Sequence, residues 1–402
     1  MSAGDVAVAL EGVAARHDDR PVGEVHSEWG RLRTALVHRP GAELGAVDAA
    51  NAEAMLFAGA VDVEPAQNEH DALAAALRAH GVEIMYVERL LAEIAGDDRR
   101  REALLARALA DMPAAVRRRV ALLPPPRLAR ALIGGLTQGP IGPVTGRPTR
   151  ARPLHAVPNL LFVRDSSVWI GGTVMVGAMA THVRRRESAL VAAIYELHPR
   201  FAAAATWSPS GGGPIRVEGG DVLLATPGRL MVGISPRTSA SGAHRMAATL
   251  LRQGAVTDIL TVEIPRGAGI HLDLVVTIVD RETFAVWAPV RRALRAHRWR
   301  ATSSGVAVRA VPDPFAWLSP SSRVIELGSD GPELHGRPWD HGVNVLPLAA
   351  GLVLAYEDNS KANEQLTAAG VQVIAVPGAM LGRGRGGPRC LTCPLARDRH
   401  TG

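Results

Sequence analysis

The sequence predicts an α/β fold made of similar units arranged in a closed ring with pseudo-symmetry. The main observation is a repeated order of elements: residues 217–263 contain an apolar run, a turn, a second apolar run, a helical segment and a strand. The same order recurs over residues 344–376, and part of it recurs over 168–197. Similar units without sequence identity are typical of architectures in which each unit packs against its neighbours. On pattern alone, an ordinary mixed α/β sandwich fits equally well.

The length and composition agree with a large folded protein. The chain has 402 residues, of which 47% are hydrophobic and 21% are charged, and these proportions are typical of globular proteins. Intrinsic disorder and fibrous repeats are therefore excluded. A chain of this length is long for one ordinary domain and short for three, so it fits two domains or one large closed architecture.

The elements of the repeated unit are clearest in the C-terminal half. In the first complete copy, two apolar runs flank a turn at Pro227 and Gly228, and a helix and a strand follow. The predicted segments of the two complete copies are 222–225, 230–234, 243–252 and 259–263, then 345–348, 352–356 and 361–369. The N-terminal part is predicted to contain a strand at 34–38, a helix at 71–80 and a strand at 83–87.

A helical segment interrupts the units. Between residues 92 and 136, apolar residues such as Leu104 and Ala108 follow helical spacing, and prolines separate one helix from the next. Residues 139–153 are rich in Gly, Pro, Thr and Arg and are typical of a linker. We therefore divide the chain into a first part of the main domain at 1–90, a helical insertion at 91–138 and the remainder of the main domain at 139–402.

The net charge of +6 does not identify a nucleic-acid-binding protein. Lys361 is the only lysine among 45 basic residues, and the arginines are scattered along the chain. A nucleic-acid surface needs clustered basic residues or stacking aromatics, whereas Phe, Tyr and Trp make up only 4% of this chain. The short arginine runs at 117–119 and 184–186 fit solvated helix faces, and nucleic-acid binding stays a minor alternative.

The sequence does not predict a membrane or secretory segment. The first twenty residues carry Asp5, Glu11 and Asp18 and lack the basic segment and apolar stretch of a secretory signal. The least charged stretches, 166–183 and 342–356, are broken by glycine or proline and fit paired strands. We expect a cytoplasmic protein that does not contact a membrane.

Four stretches place polar or ionisable residues where an apolar strand would otherwise continue. They are residues 159–165, 218–221, 271–273 and 383–390. His271 and Asp273 are two residues apart, so in a strand they would share a face, and the carboxylate could orient the imidazole. Glu218 and Asp221 bracket two glycines, where the backbone can approach a ligand closely. Alone, a pair such as His271 and Asp273 is usually structural, and Glu218 and Asp221 are equally consistent with a turn at the start of a hairpin.

The glycine-rich loop at 383–390 is the most specific of these stretches because it presents a thiol among arginines. Cationic neighbours lower the pKa of a thiol, which would make Cys390 a better nucleophile at neutral pH. Alternatively, Cys390 is a buried apolar residue, a redox partner of Cys393, or one ligand of a zinc site that borrows histidines. The four stretches contain no obvious metal cage, so we expect neither a metal nor another cofactor.

A thiol, an imidazole and several carboxylates together suit a planar cationic electrophile. A guanidinium is such a group, because carboxylates can bind its N–H edge bidentately while its central carbon stays open to attack. In this combination the sequence resembles the arginine deiminases of the guanidine-modifying superfamily, over nearly the whole chain. The motifs that match, in the order of the family, are residues 27–32, 38–40, 69–71, 158–165, 218–221, 233–238, 271–273 and 382–394.

The resemblance implies a fold, a reaction and an assembly. The fold would be a five-bladed, pseudo-symmetric α/β propeller of ββαβ units with an all-helical insertion after the first unit. The reaction would convert L-arginine and water to L-citrulline and ammonia through a covalent cysteine thiouronium intermediate, without a cofactor. The protein would form a homo-oligomer.

The resemblance also implies roles for individual residues. Cys390 would be the nucleophile, His271 the general acid and base, and Glu218 the residue that orients His271. Asp165 and Asp273 would hold the guanidinium. The residues expected to bind the α-carboxylate and the backbone of the substrate are Asn159, Arg184, Arg237, Arg385 and Leu56, the last through its backbone.

One segment departs from the family pattern. Where the family usually has two acidic residues after Leu-Phe, this chain has Ala58 and Gly59 after Leu56 and Phe57. That loop helps to close the active site in the family, so we expect the change to affect substrate affinity or loop order.

Three alternatives to an arginine deiminase stay open. The first is another guanidine-modifying enzyme, such as an agmatine deiminase, an amidinotransferase or a dimethylarginine hydrolase. Two arginines expected to bind an α-carboxylate argue against agmatine, which has none. The second is a non-catalytic paralogue, against which the retained thiol, imidazole and carboxylates argue. The third is a zinc or redox protein built on Cys390 and Cys393.

Overall fold

The structure, a computed structural model, combines helices and strands in a mixed α/β fold. It describes residues 22–136, 154–209, 215–303, 305–328 and 342–399. The predicted linker at 139–153 lies outside these ranges. Within them, no helix is both long enough and apolar enough to cross a membrane.

The strands run through the whole described chain. They are β1 (Leu32–Val37), β2 (Glu83–Tyr86), β3 (Ser167–Ile170), β4 (Thr173–Val176), β5 (Ala205–Trp207), β6 (Val222–Thr226), β7 (Arg229–Ile234), β8 (Asp258–Glu263), β9 (Val276–Asp280), β10 (Thr283–Trp287), β11 (Arg295–Thr302), β12 (Gly305–Val311), β13 (Arg323–Leu327), β14 (Leu346–Ala349), β15 (Leu352–Tyr356), β16 (Gln372–Val376) and β17 (Cys393–Arg397).

The α-helices fall into a cluster near the N-terminus and single helices between strands. They are α1 (Val63–Ala79), α2 (Val87–Ala95), α3 (Asp98–Ala108), α4 (Ala114–Ala121), α5 (Pro125–Gly134), α6 (Val163–Ser166), α7 (Arg185–Leu197), α8 (Ala240–Arg252) and α9 (Ser360–Ala368). The helical segment predicted between 92 and 136 corresponds to α2–α5. These helices bury one apolar face, which includes Leu91, Ile94 and Leu132, in a common core.

The sheets of the described chain repeat one pairing pattern of three strands. An antiparallel pair is followed by a parallel third strand in β3-β4-β5, β6-β7-β8, β9-β10-β13, β14-β15-β16 and β17-β1-β2. The last of these sheets joins the two ends of the chain, because β17 pairs with β1. The sheet of β6-β7-β8 is extended by the antiparallel strands β11 and β12.

The predicted elements agree closely with the structure where a unit has the full pattern. Helix α8 begins three residues earlier than predicted because Ser239 caps it: the Ser239 side chain accepts a hydrogen bond from the Gly242 N–H. Sequence analysis did not assign the sheet of β9, β10 and β13. In that unit, strands β11 and β12 lie between β10 and β13 in the chain, and the described residues there form no α-helix.

Candidate active site

Each candidate catalytic residue lies just before the first strand of a three-strand pattern. Asp165, in the short helix α6, precedes β3, and Glu218 precedes β6. His271 and Asp273 precede β9, and Cys390 precedes β17. The same short connection therefore supplies a polar side chain in four different units, and all five side chains are buried.

His271 lies between two carboxylates. Its Nε2 is 2.8 Å from Glu218 Oε2, and its Nδ1 is 3.6 Å from Asp165 Oδ1. Burial lowers the pKa of His271, but Asp165, the hydrogen bond to Glu218 and the nearby Asp221 together raise it to about 9. The imidazole is thus protonated at neutral pH. It can donate a proton to a leaving group.

Glycine 220 makes this close arrangement possible. A Cβ atom there would lie 2.8 Å from both Asp165 Oδ1 and the His271 ring. The two glycines that the sequence places between Glu218 and Asp221 therefore let the backbone pass directly beneath the imidazole.

Glu218 is held as an ionised carboxylate. Its Oε1 accepts a hydrogen bond from the Ala180 N–H at 2.8 Å, and its Oε2 accepts one from Arg237 Nη1 at 3.4 Å. Burial alone would raise the pKa of Glu218, but His271, Arg184 and Arg237 lower it to about 2. Glu218 thus presents a fixed negative charge to His271.

The thiol of Cys390 lies beside Asp273. Its Sγ is 3.6 Å from Asp273 Oδ2. Burial and the charges of Asp273 and Asp165 hold the pKa of Cys390 well above its ordinary value, although Arg389 lowers it. Without a cation between the two carboxylates, the neutral thiol is the favoured form.

Asp165 and Asp273 share one hydrogen-bonding feature. In each residue Oδ2 accepts a hydrogen bond from a buried arginine at 2.6 Å, from Arg184 to Asp165 and from Arg389 to Asp273. In each residue Oδ1 is buried and has no hydrogen-bond partner among the described residues. Buried carboxylate oxygens seldom stay unpaired, so the pair offers two acceptors to a ligand that carries N–H groups.

The five residues predicted to bind the substrate fall into two groups. Arg184 and Arg237 both approach Glu218 Oε2, at 3.8 and 3.4 Å. Arg184 is deeply buried and also binds Glu187, with Nη2 to Oε2 at 2.8 Å.

Asn159, Leu56 and Arg385 form the second group, at the loop that departs from the family. Asn159 Nδ2 donates to the Met55 carbonyl at 2.8 Å, and Arg385 Nη2 donates to the Phe57 carbonyl at 3.1 Å. Leu56 and Arg385 both have φ of +69° and are the non-glycine residues with positive φ in the described chain. Such conformations persist only where surrounding contacts impose them, and they are common at ligand sites.

The altered loop at 56–59 is hydrogen-bonded to the glycine-rich loop at 383–390, which carries Cys390. Ala58 N–H donates to the Arg383 carbonyl at 2.7 Å, and Arg383 Nη1 donates to the Ala60 carbonyl at 2.8 Å. The altered loop therefore keeps contacts to the glycine-rich loop although residues 58 and 59 are not acidic.

Three residues that bind and orient the candidate catalytic groups were not predicted from the sequence. Asn344 Oδ1 accepts hydrogen bonds from the Gly387 and Cys390 N–H groups, both at 3.1 Å, and its Nδ2 donates to the Asp273 carbonyl at 3.0 Å. Arg389 binds Asp273 and Glu28. Glu28 and Arg389 lay inside recognised motifs but were given no role, and Asn344 is a single polar residue ahead of an apolar strand.

A metal ion is poorly suited to this site despite a possible ligand set. Asp165, Glu218 and His271 offer ligand atoms within 4.8 Å of one another. However, Arg184 contacts both carboxylates, and the raised pKa of His271 favours the protonated ring, which cannot bind a metal. Cys393 has other partners than Cys390: its Sγ contacts Ser167 and Tyr195.

Comparison with known structures supports the fold. An amidinotransferase from Microseira wollei superposes with a TM-score of 0.60 at 15% identity, covering 95% of this chain and 99% of that one. A DDAH from Pseudomonas aeruginosa superposes with a TM-score of 0.53 at 14% identity, covering 90% of this chain and 99% of that one. At this level of identity the likeness concerns the fold alone.

Comparison of sequences identifies the family. The arginine deiminase family profile matches residues 53–120 and 147–397. An arginine deiminase of Rhodococcus opacus (strain B4) is 38% identical over 407 residues, 94% of this chain and 98% of that protein. One of Mycobacterium avium (strain 104) is 39% identical over 401 residues, 93% of this chain and 98% of that protein. The chain therefore belongs to the arginine deiminase family.

Proposed function

We propose that the protein is a hydrolase of C–N bonds in linear amidines that converts L-arginine and water to L-citrulline and ammonia. The observation that carries the proposal is the pair of buried oxygens, Asp165 Oδ1 and Asp273 Oδ1, which have no hydrogen-bond partner among the described residues and lie beside a thiol and a protonated imidazole. A guanidinium supplies N–H groups to both oxygens, and its positive charge balances the excess of carboxylates. The curated relatives with this activity span nearly the whole chain.

In the first half of the proposed reaction, the bound guanidinium promotes ionisation of Cys390. Its positive charge offsets the carboxylates that raise the pKa of the thiol. The thiolate attacks the guanidinium carbon and forms a tetrahedral adduct. His271 then donates its proton to one nitrogen, the C–N bond breaks, and ammonia leaves a planar thiouronium attached to sulfur.

In the second half, His271 acts as a base. The neutral imidazole takes a proton from water as the water oxygen attacks the thiouronium carbon. Collapse of this adduct breaks the C–S bond and releases citrulline and the thiolate, and the hydroxyl proton of the adduct passes to solvent, where the ammonia released in the first half takes it up as ammonium. Glu218 keeps the imidazole in position throughout, because it binds the ring nitrogen that faces away from Asp165.

The substrate's α-carboxylate and α-amino group are assigned to the residues around Glu218 and the loop at 56–59. Arg237 and Arg184 supply positive charge for the carboxylate, and Asn159, Arg385 and the Leu56 backbone supply polar contacts. The left-handed backbone conformations of Leu56 and Arg385 support this assignment, because Arg385 donates a hydrogen bond to the carbonyl of Phe57, the residue after Leu56.

We further propose that the units form a five-bladed propeller, with its main domain at 1–90 and 139–402 and the helical insertion at 91–138. The shared pairing pattern and the β1–β17 pairing, which joins the N-terminal and C-terminal parts of the described chain, support a closed ring.

The protein acts as a homo-oligomer in the cytoplasm. A catalytic thiol works only in the reduced state, and both cysteines are free.

Citrulline formation by the purified protein tests the proposed reaction. L-arginine, agmatine and methylated arginines are offered to the wild-type protein and to Cys390→Ser. The readout is the colour of the ureido product, which is citrulline from L-arginine and N-carbamoylputrescine from agmatine, and we expect it from L-arginine alone and not from the variant. Absence of product from every guanidine would reject the proposal in favour of a non-catalytic paralogue, and equal turnover of agmatine would reject the proposed recognition of the carboxylate.

A further inference from the structure

A fully buried arginine directly precedes the proposed nucleophile and is shared between two carboxylates. Arg389 Nη1 donates to Asp273 Oδ2 at 2.6 Å. Its Nε and Nη2 donate to the two oxygens of Glu28 at 3.3 and 3.1 Å, and Nη2 also donates to the Val222 carbonyl at 3.0 Å. Every guanidinium nitrogen has an acceptor, so the group is fixed in one orientation.

The sulfur of Cys390 lies against the same carboxylate oxygen that Arg389 binds. Asp273 Oδ2 is 3.6 Å from Cys390 Sγ and 2.6 Å from Arg389 Nη1. Without the arginine, a thiolate and an unneutralised carboxylate would repel each other across this short distance. The same contact turns the carboxylate so that Oδ1 stays available to a ligand.

Glu28 fixes the far side of Arg389. Its Oε1 also accepts hydrogen bonds from Arg164 Nη2 at 2.6 Å and from the Leu224 N–H at 3.2 Å. Burial raises the pKa of Glu28, but Arg164, Arg389 and Arg397 lower it to about 2. Glu28 therefore keeps its negative charge, and its hold on Arg389, throughout the neutral range.

We propose that Arg389, held by Glu28, is a positioning residue that fixes Asp273 for guanidinium binding and stabilises the thiolate of Cys390. The part that concerns the guanidinium rests on the proposed function, whereas the part that concerns the thiolate does not. The charged or titratable groups that act on the Cys390 sulfur are Asp273, Asp165, Arg389 and, from β15, Tyr356. Arg389 is the cation among them.

The test replaces Arg389 by lysine and compares it with a matched variant. Arg389→Lys keeps the charge but cannot reach both Asp273 and Glu28 with a planar fork. Arg164→Lys makes the same change in a buried arginine that binds the same Glu28 and makes no side-chain hydrogen bond to Asp273. Both variants carry Cys393→Ser, so Cys390 is the remaining thiol, and its ionisation is followed by absorbance at 240 nm as pH rises.

We expect Arg389→Lys to lower kcat by about 100-fold while KM rises much less, because a small misplacement of a reacting group is costly. We expect the midpoint of thiol ionisation to rise by about one pH unit in Arg389→Lys and to stay in place in Arg164→Lys. If the two variants lose stability and activity equally and neither moves the thiol midpoint, Arg389 has only a structural role and the proposal is overturned.

A second variant keeps the proposal testable if Arg389→Lys does not fold. Glu28→Gln keeps the side-chain shape but loses the charged bidentate hold on Arg389, so the thiol midpoint should move up and kcat should fall about tenfold. A midpoint that stays in place or moves down, as removal of a buried negative charge alone would give, would overturn the proposal. Should the wild-type protein form no citrulline, the proposed function fails, but the thiol titrations still decide whether Arg389 stabilises the thiolate.

Discussion

The two carboxylates proposed to hold the guanidinium are built on the same plan in different parts of the chain. We define an Asp165 arm and an Asp273 arm, which consist of Asp165, Arg184 and Glu187, and of Asp273, Arg389 and Glu28. In each arm the aspartate Oδ2 accepts from a buried arginine at 2.6 Å, and a buried glutamate holds other nitrogens of that arginine. In each arm the aspartate Oδ1 has no hydrogen-bond partner among the described residues.

The arms differ in the charge around the glutamate. Glu28 faces three arginines, which hold its pKa at about 2. Burial raises the pKa of Glu187 to about 7, because Arg184 alone opposes it while Asp165 and Glu218 add further negative charge. Glu28 in the Asp273 arm is thus ionised throughout the neutral range, whereas Glu187 in the Asp165 arm changes its protonation near pH 7.

The arms also serve different chemical partners. Asp273 lies beside the Cys390 sulfur, and Asp165 lies beside the His271 ring. A constant charge suits the arm next to the nucleophile, since the thiolate must form against the same background at every pH. The comparison indicates that the Asp273 arm controls the charge beside Cys390, the proposed nucleophile, and that the Asp165 arm controls the charge beside His271, the proposed acid and base.

The largest expected effect comes from removing the charge of either aspartate. Asp273→Asn and Asp165→Asn should each fold and lower kcat by about 1,000-fold or more, since the charge that aligns the guanidinium is lost. The two variants should change the pKa of different groups. Asp273→Asn lowers the pKa of the Cys390 thiol, and Asp165→Asn lowers the pKa of His271, measured by absorbance and by NMR.

The control for these variants is Asp398→Asn, which removes an exposed carboxylate that binds Arg33. It should leave citrulline formation within about twofold of the wild-type rate, because surface ion pairs contribute little. Near-normal turnover in either active-site variant would remove that aspartate from the proposed mechanism.

The next prediction concerns the pH dependence that His271 gives the Asp165 arm. Burial lowers the pKa of His271, but Asp165 and the hydrogen bond to Glu218 raise it to about 9, so kcat/KM should fall as pH rises through about 9 and the proton is lost. Glu218→Gln removes one of these anions, so this fall should move to lower pH and kcat should drop about 100-fold. An unchanged alkaline limb in the variant would show that another group controls it.

The strands of the regular units and the positions of the polar site residues could be predicted from the sequence, because they depend on local pattern. The apolar runs and turns predicted the strands of the regular units, and the Glu-Gly-Gly-Asp and His-Leu-Asp stretches predicted where polar side chains leave them. Strands β11 and β12 escaped prediction because β11 carries arginines and a histidine in place of an apolar face.

The supporting residues could not be predicted because their roles depend on distant partners. Glu28 is 361 positions from Arg389 in the chain, and neither residue shows by its neighbours that it is buried. A buried arginine and a solvated one look alike in sequence. The family resemblance predicted which residues react. Only the packing of the chain shows how their buried charges are balanced by neighbouring ions.

Smaller effects on activity are expected from substitution of the arginines around Glu218. They distinguish Arg184 from Arg237, which the sequence analysis assigned to the same part of the substrate. Arg237→Ala should raise KM for L-arginine by roughly 10- to 100-fold, the loss expected for one charge-assisted hydrogen bond, with little change in the inhibition of citrulline formation by agmatine. Arg184→Ala should lower kcat for L-arginine, because it also releases Asp165. Equal effects of Arg237→Ala on KM for L-arginine and on inhibition by agmatine would remove its role at the carboxylate.

The smallest effect tests the difference between the two glutamates through stability. Glu187 ionises near pH 4.5 when unfolded and near 7 when folded, so between these values the folded protein binds a proton that the unfolded chain lacks. Raising the pH through this window therefore reduces the free energy of unfolding, by on the order of 3 kcal/mol. Glu187→Gln cannot titrate, so its melting temperature should fall less between pH 5 and pH 8 than that of the wild type.

Glu28→Gln is the matched change in the Asp273 arm. It should change the melting temperature without changing its pH dependence. The folded pKa of Glu28, about 2, and its unfolded value of 4.5 both lie below pH 5, so Glu28 is ionised in both states across the measured range. The variant should melt at a lower temperature at every pH, because Arg389 and Arg164 lose their shared anion, yet its change between pH 5 and pH 8 should equal that of the wild type. Asp221, whose pKa burial raises to about 6, contributes equally to all three proteins and cancels in the comparison. If the two glutamine variants show the same pH dependence, the arms do not differ in charge as the geometry indicates, and the division between a constant nucleophile side and a titrating acid-base side must be abandoned.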